Sequence, residues 1–286
     1  MEYVIAIDLG ATNLRVGIVS SNLEIVEVNR ERSERNDKTV LLNQICRLIE
    51  ALPYKDYNVK KVGISACGLI EKDHVKILPN LNIRDFDLKG ELERRYGFKV
   101  EIKNDANCTA LAEASFGSTK DVPDSFFFTI SSGIGGCLIY NHNMVDLAFE
   151  VGHILVPYLG GVEEFEKCAS GNGLVKLCND LHLNVEKAAD FFSLVANKDS
   201  LALTVLEEWE NIVALQLANT QLTYNVDKIV LSGGVMKSSS LFLDALEEKA
   251  NKIIEAFPVK RVKIVLAQFD QDAGLMGAVS VALAIK

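Results

Sequence analysis

The chain's 286 residues are enough for one large domain or two of ordinary size, and 49% hydrophobic against 24% charged residues is the balance of a globular protein. A formal net charge of −9 excludes a broad nucleic-acid-binding surface, which would need a basic face. It leaves room for an anionic ligand, because a few backbone N–H groups and one divalent cation can set a local field against the global one.

In chain order, Met1 to Leu9 is nearly all apolar and β-branched in its interior, the pattern of a strand covered on both faces. Gly10 allows a tight turn, Thr12 and Asn13 add short hydrogen-bonding groups, and Leu14 to Val19 is strand-like again. Asp8 sits where the first strand ends. A carboxylate there, beside a Gly/Thr turn, suits holding Mg²⁺ through water while the turn's N–H groups face phosphate oxygens; the plain alternative is an ordinary hairpin with a capping Asp. The Walker loop and the dinucleotide fingerprint are excluded, because both run from a strand into a helix and this turn runs into a second strand. Glu2 and the lack of a basic start speak against a secretory signal, and no apolar run has the length to cross a bilayer. Six scattered cysteines (Cys46, Cys67, Cys108, Cys137, Cys168 and Cys178) without a Cys-x-x-Cys pair read as buried thiols of a cytoplasmic protein.

A third strand is expected over Leu23–Arg30 and a charged turn over Glu31–Lys38. The apolar spacing of Leu41, Leu42, Ile45, Leu48, Ile49 and Leu52 predicts a helix over Val40–Leu52. Lys61–Ser65 reads as a strand leading into Ala66-Cys67-Gly68, and Leu88–Tyr96 as a helix ended by Gly97. Lys99–Lys103 reads as a strand stopping at Asn104-Asp105-Ala106-Asn107, before a helix over Thr109–Phe116. Taken alone, the Asn104–Asp105 pair is the composition of a helix N-cap. Polar Gly117–Asp124 marks a lobe boundary, dividing the chain into 1–117, joined by the C-terminal helix 273–286, and 118–272.

The second half opens like the first. Ser125–Ile130 is strand, Ser131-Ser132-Gly133-Ile134-Gly135-Gly136 a glycine turn, and Cys137–Tyr140 strand again, which points to two lobes of similar build. Val185–Val195 and Thr204–Tyr224 are helical, the latter carrying the lone Trp209 as a core residue. Asp227–Leu231 is a buried strand followed by Ser232-Gly233-Gly234-Val235, where two glycines allow either close approach of a flat ligand or a tight crossing. A helix over Leu241–Ala256, a strand over Val262–Leu266 and a small-residue helix over Ala273–Ile285 complete the chain.

In this order and spacing the motifs resemble the ROK family of sugar kinases, within the actin/hexokinase/Hsp70-like ATPase fold, over essentially the whole chain. The resemblance implies a two-lobed α/β, ribonuclease H-like architecture with the active cleft between lobes. Asp8, Gly10, Ala11, Thr12, Asn13 and Arg15 lie on what looks like the first phosphate motif, with Ala11 where a second glycine is usual. Ser131, Ser132 and Gly133 lie on what looks like the second, and Gly233 and Gly234 on what looks like the adenosine motif. ATP and Mg²⁺ are thereby implied, with Asp8 reaching the metal through water.

Asn104–Asn107 is similar to the family's catalytic segment, which makes Asp105 the base that takes the proton of a sugar hydroxyl as the phosphoryl group transfers. On the same grounds Asn104, Glu150, His153 and Glu166 are expected on the sugar, together with Gly68 and Asn80. Many ROK proteins carry a Cys-x-Cys-Gly-x-x-Gly-Cys zinc motif that this chain replaces with the shorter, cysteine-free Pro157–Glu164, so no structural zinc is expected. The implied reaction moves the γ-phosphoryl of Mg-ATP to the 6-hydroxyl of a hexose or N-acetylhexosamine (glucose, N-acetylmannosamine or N-acetylglucosamine), in a homodimer without nucleic-acid or membrane partners. Two alternatives remain: a non-catalytic, sugar-responsive regulator, although ROK repressors carry an N-terminal DNA-binding region with no counterpart before this first strand, and an actin- or chaperone-like ATPase.

Overall fold

The hairpin expected at the N-terminus forms as β1 (Tyr3–Leu9) and β2 (Asn13–Ser20), in register from Tyr3↔Ser20 to Leu9↔Leu14. The structure is a computed structural model and describes residues 1–145, 147, 149–269 and 272–285. Next in chain order come β3 (Ile25–Arg32), α1 (Lys38–Glu50), β4 (Lys61–Ala66), β5 (Leu69–Glu71), β6 (His74–Leu78), β7 (Ile83–Phe86), α2 (Leu88–Tyr96), β8 (Lys99–Asn104) and α3 (Asp105–Ser115). Local chemistry sets the helix ends: Asp37 accepts from the Thr39 and Val40 N–H groups ahead of α1, and Gly97 closes α2 at φ +71°.

These elements, with the C-terminal α9 (Ala273–Ala284), make the first of two compact units, Met1–Ser115 plus Gln271–Lys286. Its sheet has the order β3-β2-β1-β4-β8, with β1, β4 and β8 parallel. Its apolar core runs from Ile5, Ile7 and Leu9 through Leu41 and Ile45 to Ile64 and Ile102. The small residues of α9 let it lie directly on the sheet: a Cβ on Gly63 of β4 would fall 1.9 Å from the Ala278 carbonyl oxygen. The meander β5-β6-β7 has no counterpart in the sequence reading. Its first turn is made by Lys72 and Asp73 at φ +49° and +60°, left-handed positions that Asn or Gly would have announced.

The second unit, Phe116–Asp270, holds β9 (Ser125–Ile130), β10 (Ile134–Tyr140), β11 (Asn143–Met144), β12 (Leu155–Tyr158), β13 (Gly161–Glu164), α4 (Phe165–Ala169), α5 (Gly171–Asp180), α6 (Ala188–Ala196), α7 (Ser200–Tyr224), β14 (Lys228–Ser232), α8 (Leu243–Ile253) and β15 (Ile264–Leu266). Its sheet order, β11-β10-β9-β14-β15, repeats the plan of the first: an antiparallel hairpin extended by parallel strands. Trp209 is fully buried in this unit's core, its indole N–H donating to the Ala169 carbonyl at 3.0 Å. All six cysteines are free thiols and only Cys67 is more than slightly exposed. Among the described residues no helix is long and apolar enough to cross a membrane.

Candidate active site

In the first unit, the turn between β1 and β2 is fastened from behind. The Ser33 hydroxyl donates to the Gly10 carbonyl at 2.7 Å, the Ser33 N–H to the Thr12 carbonyl at 3.1 Å, and the Arg35 guanidinium to the Ala11 carbonyl at 2.9 Å. Gly10 closes the turn on the Asn13 carbonyl at 3.0 Å, and the Asn13 side-chain oxygen accepts from Arg30 at 3.4 Å. With its carbonyls tied back, the turn has the polarity of an anion cradle. Ser33 and Arg35 were hidden in a stretch that reads from sequence as a charged turn.

Asp8, at the end of β1, accepts from Arg15 on β2 at 3.0 Å (Nε) and 2.9 Å (Nη2); Arg15 Nη1 reaches the Asp272 carboxylate at 2.8 Å. The cross-strand register Asp8↔Arg15 makes the first pairing unavoidable. Burial outweighs Arg15 and holds the Asp8 carboxyl above its ordinary pKa.

Asp105 lies where β8 passes into α3; β1, β4 and β8 run parallel, so their C-terminal ends lie side by side at one end of the sheet. The helix starts four residues before the expected Thr109, because the Asn104 side-chain oxygen accepts the Ala106 N–H at 2.9 Å and Asp105 Oδ1 accepts the same N–H at 2.9 Å. The Asn104 amide also donates to the Gly68 carbonyl at 2.9 Å. Asn104 is thus held at both ends of its amide, with one N–H and one lone pair left for a ligand. Gly68 has its own packing reason, since a Cβ there would meet the Ile77 carbonyl oxygen at 2.2 Å.

Solvent reaches Asp105, yet protein surrounds it closely enough that lost hydration, and then the Asp8 carboxylate, raise its pKa. Burial, and then Asp105, likewise push the Cys67 thiol up to about 11. The first unit therefore brings Asp8, Gly10–Asn13, Arg15, Gly68, Asn104 and Asp105 to one place. Asn80 is exposed on the 3₁₀ turn Pro79–Leu81.

In the second unit the β9–β10 turn is also held from behind. The Gly171 N–H donates to the Ser131 carbonyl at 2.6 Å, and Glu166 Oε2 accepts the Ile134 N–H at 2.7 Å. Glu166 fills the space beside Gly133, where an added Cβ would fall 2.6 Å from Oε2, and it packs against Gly152 of the Glu150–His153 turn. One glutamate therefore joins the glycine turn to the segment carrying Glu150 and His153. Of the two readings of the Gly233–Gly234 pair, the tight crossing is met at Gly233. Gly233, at φ +99°, crosses the Ile130 backbone so closely that a Cβ would lie 2.3 Å from its oxygen, whereas a Cβ on Gly234 would meet open space.

The segment Pro157–Glu164 folds as the β12–β13 hairpin, and a ladder of charges ties it down. His153 Nδ1 meets Glu164 at 2.8 Å, Lys167 meets Glu164 at 2.6 Å, and Lys176 bridges Glu163 at 3.5 Å and Asp180 at 3.3 Å. The Tyr158 hydroxyl donates to Asp180 at 2.5 Å, and Lys176 lies over the Tyr158 ring at 4.0 Å. Among the described residues no cluster of three His, Cys, Asp or Glu side chains could hold a metal ion.

The hydrogen bond to Glu164 raises the His153 pKa above 6.5. The charge-assisted part of this pairing is complete below pH 6.5 and is lost as pH rises through the folded-state value. An NMR titration is expected to find His153 above 6.5 in the wild type and back toward 6.5 in Glu164→Gln; equal values in the two proteins would contradict the pairing.

The ROK family model matches residues 4–285. The chain belongs to the ROK family. Among its relatives, the glucokinase of Halalkalibacterium halodurans is 27% identical over 96% of this chain and 93% of its own length. The xylose repressor of Bacillus subtilis (strain 168) is 26% identical over 98% of this chain and 77% of its own length. A ROK family glucokinase from Streptomyces griseus, solved in complex with glucose and AMPPNP, shares the fold at a TM-score of 0.73 and 24% identity, over 98% of this chain and 99% of that one. The fold is therefore the actin-like ATPase fold of this family, as the sequence motifs led one to expect.

Proposed function

We propose that this ROK protein is an ATP-dependent sugar kinase that phosphorylates the 6-hydroxyl of a hexose or N-acetylhexosamine. The observation that carries the reading is the setting of Asp105: a carboxylate open to solvent, at the edge where β1, β4 and β8 end, with its pKa raised by lost hydration and by Asp8. A general base works best when its pKa lies nearer the operating pH than an ordinary carboxylate's does. A glucokinase among the relatives, and a structural neighbour crystallised with glucose and AMPPNP, support the same reading.

In this reading Asp105 accepts the proton of the attacking sugar hydroxyl, while Asn104 keeps the start of α3 and the Gly68 loop in register around it. The donor set suits a nucleotide–metal complex. Asp8 and Asp105 are two carboxylates near enough for Asp8 to raise the Asp105 pKa, a repulsion that a divalent cation relieves. Asp8 would hold Mg²⁺ through water, and Mg²⁺, when bound with ATP, neutralises charge on the phosphoryl oxygens. The turn at Gly10–Asn13 and the turn at Ser131–Gly133 take phosphate oxygens through backbone N–H groups, and Gly234 leaves space for the adenosine. Glu150, His153 and Glu166 orient the sugar's hydroxyl groups.

Release of ADP from Mg-ATP, measured with and without a panel of sugars, tests this directly. A sugar kinase releases ADP only with its sugar, and the ratios of kcat/KM across glucose, N-acetylmannosamine and N-acetylglucosamine name the substrate. ADP release that ignores every sugar would make the chain a plain ATPase. Sugar binding without ADP release would place it with the regulators, of which the xylose repressor is a relative.

A further inference from the structure

The start of α9 carries a carboxylate that does not do what its position suggests. Asp272 is the residue ahead of the helix, where an Asp side chain ordinarily accepts N–H groups of the first turn, yet it makes no such bond. Instead it draws Arg15 Nη1 to 2.8 Å, across 257 residues of chain. The space over the first turn of α9 is taken by Asp8. A Cβ on Gly274 would fall 2.3 Å from Asp8 Oδ1 and 2.8 Å from Oδ2. A carboxylate seated at the N-terminal end of a 12-residue helix is favoured by the helix dipole.

The pairing with Arg15 is lopsided. Nε and Nη2 both reach Asp8 Oδ2, at 3.0 and 2.9 Å. Arginine and a carboxylate left to themselves favour the two-oxygen fork. Here both nitrogens meet one oxygen, while Nη1 of the same guanidinium is held by Asp272.

We propose that Asp272 is a positioning residue: by holding the far nitrogen of Arg15, it fixes the guanidinium that holds Asp8 and so orients the Asp8 carboxylate toward the cation of a metal–nucleotide, with Gly274 providing the seat. This rests on the reading of Asp8 as the metal-side carboxylate. The Asp272 side chain is 58% exposed, and an ion pair that open adds little to stability, so a purely structural role would leave nothing for ligand binding to read.

The test is the affinity for Mg-ADP by calorimetry, run on wild type, Asp272→Asn, Asp272→Glu and Asp8→Asn. Asp272→Asn is expected to bind Mg-ADP roughly tenfold more weakly and to need more Mg²⁺ for half-maximal binding, the loss of about one charge-assisted contact. Its melting temperature and its affinity for sugar alone should match wild type, and Asp272→Glu should recover part of the loss. Gly274→Ala, which pushes the Asp8 carboxylate off its seat, is expected to weaken Mg-ADP further. Wild-type Mg-ADP binding by Asp272→Asn, beside a clear loss in Asp8→Asn, overturns the inference about Asp272 alone. Wild-type binding by Asp8→Asn overturns the assignment of Asp8 on which it rests.

Discussion

Asp105→Asn is expected to lower turnover by roughly two to four orders of magnitude, the span that a positioned general base contributes, while sugar binding stays measurable and the protein becomes no less stable. The last clause follows from the sign of the pKa shift. The folded-state value is raised above the unfolded one, so ionised Asp105 costs stability at any pH above about 3.8, and the cost is complete once pH passes the folded value. Asparagine removes that charge, and its side-chain oxygen can still accept the Ala106 N–H that Asp105 Oδ1 holds at 2.9 Å. A lower kcat with an equal or higher melting temperature at pH 7 separates a catalytic role from a structural one. The acid limb of kcat/KM in the wild type should likewise lie above the usual carboxylate range, in the direction of the shift. Turnover near wild type in Asp105→Asn would remove the base from the mechanism.

The parts of this molecule that follow from short-range pattern were legible in the sequence. β1 and β2 announce themselves by β-branched runs on either side of Gly10, and α1 and α7 by apolar residues at helical spacing. The start of α3 was not legible, because Asn, Asp and Asn favour turns and caps over helix interiors, and here the Asn104 cap is what lets the helix begin at Asp105. The candidate site divides in the same way. Asp8, Asp105 and the two glycine turns stand out as motifs, but what holds them does not. Ser33 and Arg35 behind the first turn, Glu166 on the Ile134 N–H and Asp272 on Arg15 are contacts between distant segments, and no local period encodes them. In the charge ladder that fastens β12–β13 only the i,i+4 pair Lys176–Asp180 is local to α5; Tyr158 and Glu163 meet it only once α5 has packed against the hairpin.

Glu166 is where the sugar-side and phosphate-side readings of the second unit can be told apart. Glu166→Ala deletes the acceptor that holds the Ile134 N–H at 2.7 Å and empties the space beside Gly133 and Gly152. A hydrogen bond to a charged group contributes about 1.5–3 kcal/mol, so the loss corresponds to roughly ten- to a hundredfold in whichever affinity depends on it. The Ile134 bond uses Oε2 and leaves Oε1 for a ligand, so the sugar loses a direct acceptor while the phosphate turn loses only its anchor. The expected order is therefore a large drop in sugar affinity and a smaller one in Mg-ADP affinity, both read by calorimetry. Glu166→Gln keeps the shape and one acceptor oxygen; it should hold the turn, and with it Mg-ADP, nearly as wild type does while still binding sugar more weakly. The reverse pattern, with Mg-ADP lost and sugar retained in Glu166→Ala, would make Glu166 a support of the glycine turn alone and leave Glu150 and His153 as the sugar's partners in this unit.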